Sequence, residues 1–211
     1  MRLGVIDYDM GNLHSVLKAL AYLGVPAEVT ASITDDYSAL ILPGVGAFDP
    51  AIQRLRQRDL ITPLQNWIRQ DRPFLGICLG LQLLFTTSAE GQELGLNVIP
   101  GHVQELRPAP GYPVPHMGWN QLHFTQSDCP LWKDIPTPAW VYFVHSYHAV
   151  PADPNTLIAT VEYGGECVTA AVARGNCWAT QFHPEKSGAV GLKILSNWLK
   201  YGVIKKNAAL T

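Results

Sequence analysis

Apolar residues follow two rhythms along this chain. Leu3-Gly4-Val5-Ile6 is a short continuous run and predicts a buried strand. Leu13, Val16, Leu17, Leu20 and Leu23 then recur at helical spacing, with Asn12 placed to cap the start and Gly24 to stop the end. Val25 to Thr30 predicts a second strand, and Ala39 to Leu42 a third that ends at Pro43-Gly44. Residues 50–70 read as helical with a break near Thr62-Pro63. Phe74 to Ile77 predicts a fourth strand, and Leu79 to Phe85 a short apolar helix.

The rhythm changes after about residue 98. Six runs with turn punctuation predict strands: Val98–Leu106, Trp119–Phe124, Trp140–Val144, Leu157–Tyr163, Cys167–Ala173 and Cys177–Phe182. A last helix covers roughly Gly188 to Tyr201. Strands alternating with helices predict an α/β fold with a mostly parallel, helix-flanked sheet, and the later run of strands predicts an antiparallel extension of the same domain. The expected domain spans 1–203, with 204–211 as a disordered tail.

Composition narrows the classes. Hydrophobic residues make up 47% of the 211, charged residues only 15%, and the net charge is −2. Globular domains carry about 25% charged residues, so charge is sparse here. No basic block suggests nucleic acid, and no apolar run reaches the roughly 18 residues of a membrane span. The four cysteines are scattered without a CxxC pair, which argues against a zinc ribbon or a disulfide framework and for a reducing, cytoplasmic setting.

One cysteine has a special frame. Gly76-Ile77-Cys78-Leu79-Gly80 follows a predicted strand and opens a predicted helix, the pattern of a nucleophile elbow with a thiol in place of the hydroxyl. Such a turn lifts the sulfur above the carboxyl edge of the sheet, and the helix start favours the thiolate. The amide of Leu79 would point at a developing oxyanion. Cys129, Cys167 and Cys177 lack that frame and read as packing residues.

A candidate base stands near the other end of the chain. In Phe182-His183-Pro184-Glu185, the proline biases His183 to extended backbone, and residues two apart in extended chain share a side. His183 and Glu185 could therefore face one pocket as base and orienting carboxylate. Pro43-Gly44-Val45-Gly46 offers free backbone amides to an anion, as part of an oxyanion hole, a phosphate cradle or a plain turn. Neither a P-loop nor a dinucleotide fingerprint is present.

Together, the Cys78 elbow, the His183-Pro184-Glu185 stretch and the Pro43–Gly46 corner resemble the class I, triad-type glutamine amidotransferases. The resemblance covers nearly the whole chain. It implies Cys78 as nucleophile, His183 as acid–base, Glu185 as its orienter and no cofactor or metal. It further implies an oxyanion hole from Leu79 with Val45 or Gly46, and Gly44, Gln82, Ser146 and Tyr147 around a glutamine substrate. The Val45 peptide is expected to have a resting orientation away from that hole. Gly11-Asn12-Leu13, His116-Met117-Gly118-Trp119-Asn120 and His183 to Ser187 carry a finer match. It is to members that pass ammonia to a (β/α)₈-barrel cyclase subunit in histidine biosynthesis. That match implies Asn12, Met117, Trp119 and Lys186 on the partner-facing side, whereas spacing alone would read Trp119 as core. Amidotransferases of other pathways are the alternative, and the His116–Asn120 stretch argues against them. One departure stands out: Asp9 sits where the family favours glycine.

Overall fold

The computed structural model describes residues 1–204; the expected tail from 205 onward lies outside them. The first half winds as β1 (Leu3–Ile6), α1 (Leu13–Tyr22), β2 (Ala27–Thr30), β3 (Ala39–Gly44), α2 (Phe48–Gln57), α3 (Ile61–Arg69), β4 (Phe74–Cys78) and α4 (Leu79–Gln82). The second half adds β5 (Thr87–Ser88), β6 (Gly101–Glu105), β7 (His116–Phe124), β8 (Ala139–His145) and β9 (Tyr147–Pro151). It then runs through β10 (Leu157–Tyr163), β11 (Glu166–Arg174), β12 (Cys177–Thr180) and α5 (Gly188–Asn197). A last helical segment runs Trp198–Ile204, so Ile204, expected in the tail, closes this segment instead.

One nine-stranded sheet has the order β2-β1-β3-β4-β12-β11-β10-β7-β8. The first five strands are parallel, and the rest join antiparallel. Alternate residues feed two cores. Leu3, Val5, Ala39, Ile41, Leu75 and Ile77 pack with α1 and α5, while Ile6, Leu40, Leu42 and Phe74 pack with α2 and α3. Fully buried strands with continuous apolar runs need both faces covered, which the helices supply.

Three expectations change. The 50–70 helix breaks at Arg58–Leu60, not at Pro63, because Pro63 falls in the first turn of α3, where a missing N–H breaks no intrahelical bond. The short helix after Cys78 has only four residues. A second sheet, β5-β6-β9, was not anticipated; β9 follows β8 after only Ser146.

Parallel pairing brings the carboxyl ends of β3, β4 and β12 to one edge, with Gly44 opposite Cys78 and Thr180 opposite Ile77. The antiparallel strands fold back over that edge. His183 N–H bonds the Tyr142 carbonyl of β8 at 3.0 Å, although β8 lies at the far end of the strand order. Elements meet closely here. A Cβ on Gly80 would lie 1.9 Å from the Leu42 carbonyl oxygen. Gly80→Ala should therefore lower stability by about 3 kcal/mol or more, since neither strand nor turn can retreat; thermal denaturation checks this, and an unchanged midpoint would refute the close packing.

Candidate active site

Cys78 has φ 57 and ψ −110, a conformation that L residues rarely adopt. Such strain costs about 1–3 kcal/mol and persists only where surroundings hold it. The neighbours do so through close approach: a Cβ on Gly76 would meet the Gly80 carbonyl oxygen at 2.7 Å. The bend turns the chain from β4 into α4 within one residue and leaves the sulfur at the wall of a cavity of about 320 Å³. α4 is one turn long, so its dipole is weaker than the sequence suggested. It has no side-chain cap, so the Leu79 amide is free of any helix bond.

His183 reaches the cavity from just beyond β12. Its Nδ1 lies 2.7 Å from Glu185 Oε1, and both side chains are almost wholly buried. The pairing arises differently from expectation. His183 itself is extended, but Pro184–Lys186 forms a 3₁₀ turn closed by Lys186 N–H to the His183 carbonyl at 3.0 Å, so a turn brings Glu185 to the imidazole. Ser187 Oγ accepts from Tyr142 N–H at 2.9 Å and donates to the His183 carbonyl at 2.7 Å, locking this turn to β8. Among the described residues His183 Nε2 has no nitrogen or oxygen partner, and the Cys78 sulfur is the group that bears on it. Burial opposes charge on His183, but the Cys78 sulfur and the Glu185 carboxylate outweigh it and hold its titration well above the ordinary histidine range.

Val45, Gly46, Leu79, Gln82, Ser146 and Tyr147 also line the cavity. Gly44 does not; it is buried at the end of β3, opposite Cys78. The Val45 amide donates to the Met10 carbonyl at 2.7 Å, so it is committed away from the cavity. The loop bearing Met10 is shaped by Asp9, whose φ of 67 is the backbone a glycine would give, and Arg58 clamps both Asp9 carboxylate oxygens at 2.6 and 3.2 Å.

Sequence reasoning missed several wall residues. Glu90 presents a carboxylate that accepts from Phe48 N–H at 2.8 Å; it sits in a loop without periodic pattern. Val144 arrives through the folded-back β8, as does His145, whose place beside Ser146-Tyr147 in the sequence already put it near the pocket. His145 and His116 bond each other at 3.2 Å, and burial pushes them down to about 3 and about 4, so both are neutral.

The four residues assigned to a partner face do not enter the cavity. Met117 is 63% and Trp119 54% exposed, so Trp119 is not core. Trp119 lies over Gly188, beside the turn that carries the exposed Lys186. Asn12 caps α1 by accepting from Ser15 N–H at 3.4 Å.

Removing the Glu185 charge tests the electrostatics. The pairing raises the folded titration of His183, so its contribution to stability is present below the ordinary histidine range and lost as pH climbs through the raised value. In Glu185→Gln the His183 titration, followed by NMR of the ring, should move to lower pH, and the alkaline loss of stability with it. An unmoved titration would contradict the pairing.

Residues 4–200 match the family model for glutamine amidotransferase class-I. Imidazole glycerol phosphate synthase subunit HisH of Synechococcus sp. (strain JA-3-3Ab) is 55% identical over 203 residues, covering 95% of this chain and 94% of the relative. The same subunit of Gloeothece citriformis (strain PCC 7424) is 54% identical over 199 residues, covering 93% and 94%. Among solved structures, a glutamine amidotransferase aligns with a TM-score of 0.74 at 16% identity, over 95% of this chain and 98% of that one. PurLQS from Thermotoga maritima aligns at 0.72 and 20% identity, over 95% and 98%. The latter two show the shared fold. With the family model spanning nearly the whole chain and relatives above half identity, this protein belongs to the class I glutamine amidotransferases, within the HisH subunits of imidazole glycerol phosphate synthase.

Proposed function

We propose that this chain hydrolyses glutamine to glutamate and ammonia through a Cys78-His183-Glu185 relay, and that the ammonia passes to a (β/α)₈-barrel cyclase subunit. The observation that carries the reading is the strained Cys78 sulfur at the wall of a cavity that it shares with the Glu185-bonded His183. The thiolate attacks the side-chain carbonyl carbon of glutamine, forming an S–C bond. His183 gives its proton to the amide nitrogen as the C–N bond breaks and ammonia leaves. Water, deprotonated by His183, then cleaves the γ-glutamyl thioester, and the thiolate is restored. Glu185 keeps the imidazole in one orientation and stabilises its cation throughout.

Gln82, Ser146 and Tyr147 surround the glutamine, and the Glu90 carboxylate suits its α-ammonium group. Gly44 supports the corner from behind. The oxyanion meets the Leu79 amide and a second amide from Val45 or Gly46. Val45 can serve only after its bond to Met10 breaks.

Met117, Trp119, Asn12 and Lys186 form the docking face for the cyclase, which uses the ammonia to make imidazole glycerol phosphate and AICAR in histidine biosynthesis. Exposed Met and Trp side chains on a charge-poor chain fit a surface that a partner covers. The four free cysteines suit the cytoplasm. Among the described residues no helix is long and apolar enough to cross a membrane.

One assay with two arms tests the reading. Glutamine turnover by the chain alone should be slow and should rise by orders of magnitude once the cyclase and its nucleotide ligand are both present. Cys78→Ser should abolish glutamine-dependent synthesis by the complex and spare ammonia-dependent synthesis. Full turnover without the cyclase, or equal loss of both syntheses in the variant, would overturn it.

A further inference from the structure

We propose that Gln181 is a further catalytic residue of this reaction: its side-chain amide donates a hydrogen bond to the Cys78 sulfur and steadies the charge that sulfur carries before attack and again when the thioester is cleaved. This rests on the reading of Cys78 as nucleophile. Gln181 Nε2 lies 3.7 Å from Cys78 Sγ, within hydrogen-bond reach for sulfur, and Gln181 is fully buried beside the end of β12. A fully buried amide needs partners for its oxygen and its nitrogen. Both are present, and they leave it a single orientation.

The orientation follows from a fixed acceptor. The Tyr147 carbonyl can only accept, and Gln82 Nε2 lies 2.9 Å from it, so the nitrogen of Gln82 must be on that side. The same nitrogen lies 3.1 Å from the Gln181 oxygen. Both hydrogens of Gln82 Nε2 are then used, and Gln181 must turn its own nitrogen toward the sulfur. His145 strengthens the anchor. Its Nδ1 lies 2.8 Å from the Tyr147 carbonyl and therefore carries the hydrogen, while its Nε2 accepts from His116 Nδ1 at 3.2 Å. Stacking of His116 on Phe143 and Tyr163 fixes the far end of this chain. The donors thus run from β7 and α4 to one carbonyl, and Gln82 fixes which end of Gln181 meets the sulfur.

The consequence for the thiol has a definite sign. An N–H donor favours the thiolate, whereas the other polar contact of the sulfur, the Val144 carbonyl at 4.0 Å, can take a bond only from the thiol. Two titratable groups also bear on Cys78: His183, and Tyr8 from the end of β1. Neither is altered by changing Gln181. The same network engages the Gln82 nitrogen fully and leaves only its oxygen for a ligand.

Alkylation of Cys78 by iodoacetamide, followed by peptide mass spectrometry on the full chain, tests the proposal. In Gln181→Met, of similar length but without a donor, labelling of Cys78 at pH 7 should fall about five- to tenfold, the loss of roughly one hydrogen bond. The exposed Cys167 should label at the same rate in either protein. Gln181→Glu should label more slowly still at pH 7, because a carboxylate oxygen would face the sulfur. Labelling of Cys78 in Gln181→Met at the unsubstituted rate, or an equal fall at Cys167, would overturn the proposal. A control separates the two claims: glutamine turnover of the unsubstituted chain should fall in step with Cys78 labelling. If it does not, the reading of Cys78 fails, whatever Gln181 does.

Discussion

The backbone of Cys78 is the constraint on which the rest of the site depends. A residue at φ 57 and ψ −110 will relax unless its neighbours forbid it. They forbid it by position. β4 runs in the interior of the parallel sheet between β3 and β12, and all five of its residues are buried. Gly76 and Gly80 let the returning chain approach within distances at which any side chain would collide. The sheet thus holds the bend, the bend presents the sulfur, and every other group is arranged around that fixed point. Gln181 and His183 follow directly on β12, the strand that pairs with β4, so that pairing sets where they emerge beside the sulfur.

The two sides of the site are held differently. The base, its carboxylate and the amide network are buried and mutually bonded. The Val45 corner is instead tied back to the loop at Met10, itself shaped by the Asp9–Arg58 clamp. Asp9, a departure from the family pattern, keeps the backbone that glycine would give and adds a tether. A surface ion pair of this kind is worth about 1 kcal/mol or less, small enough to be overridden when a partner docks. On the proposed reading, the physical division is between a buried, mutually bonded nucleophile side and an oxyanion corner tied back to the Met10 loop.

Much of this was legible in the sequence, for a definite reason. Cys78, His183 and Glu185 lie in short local motifs, where neighbours within two residues create the special geometry. The parallel half of the sheet was readable because buried strands write continuous apolar runs. Other features depend on contacts distant in the chain. Val144 and His145 reach the cavity only because β8 folds back, and β5 and β9 belong to a small sheet whose first strand has just two residues. Trp119 resembles a core tryptophan by spacing, and only the fold shows it exposed. Gln181 did leave a signal, a glutamine inside the predicted buried strand Cys177–Phe182, but its meaning depends on Gln82, which is 99 residues away.

The account stands most directly on where covalent chemistry occurs. A glutamine analogue with a diazoketone in place of the side-chain amide, 6-diazo-5-oxo-norleucine, should alkylate the attacking thiolate with loss of dinitrogen. Peptide mass spectrometry of the treated complex should find one adduct, on Cys78, appearing in step with the loss of glutamine turnover. An adduct on Cys129, Cys167 or Cys177 that accounts for the loss, or full turnover with Cys78 completely modified, would contradict the account.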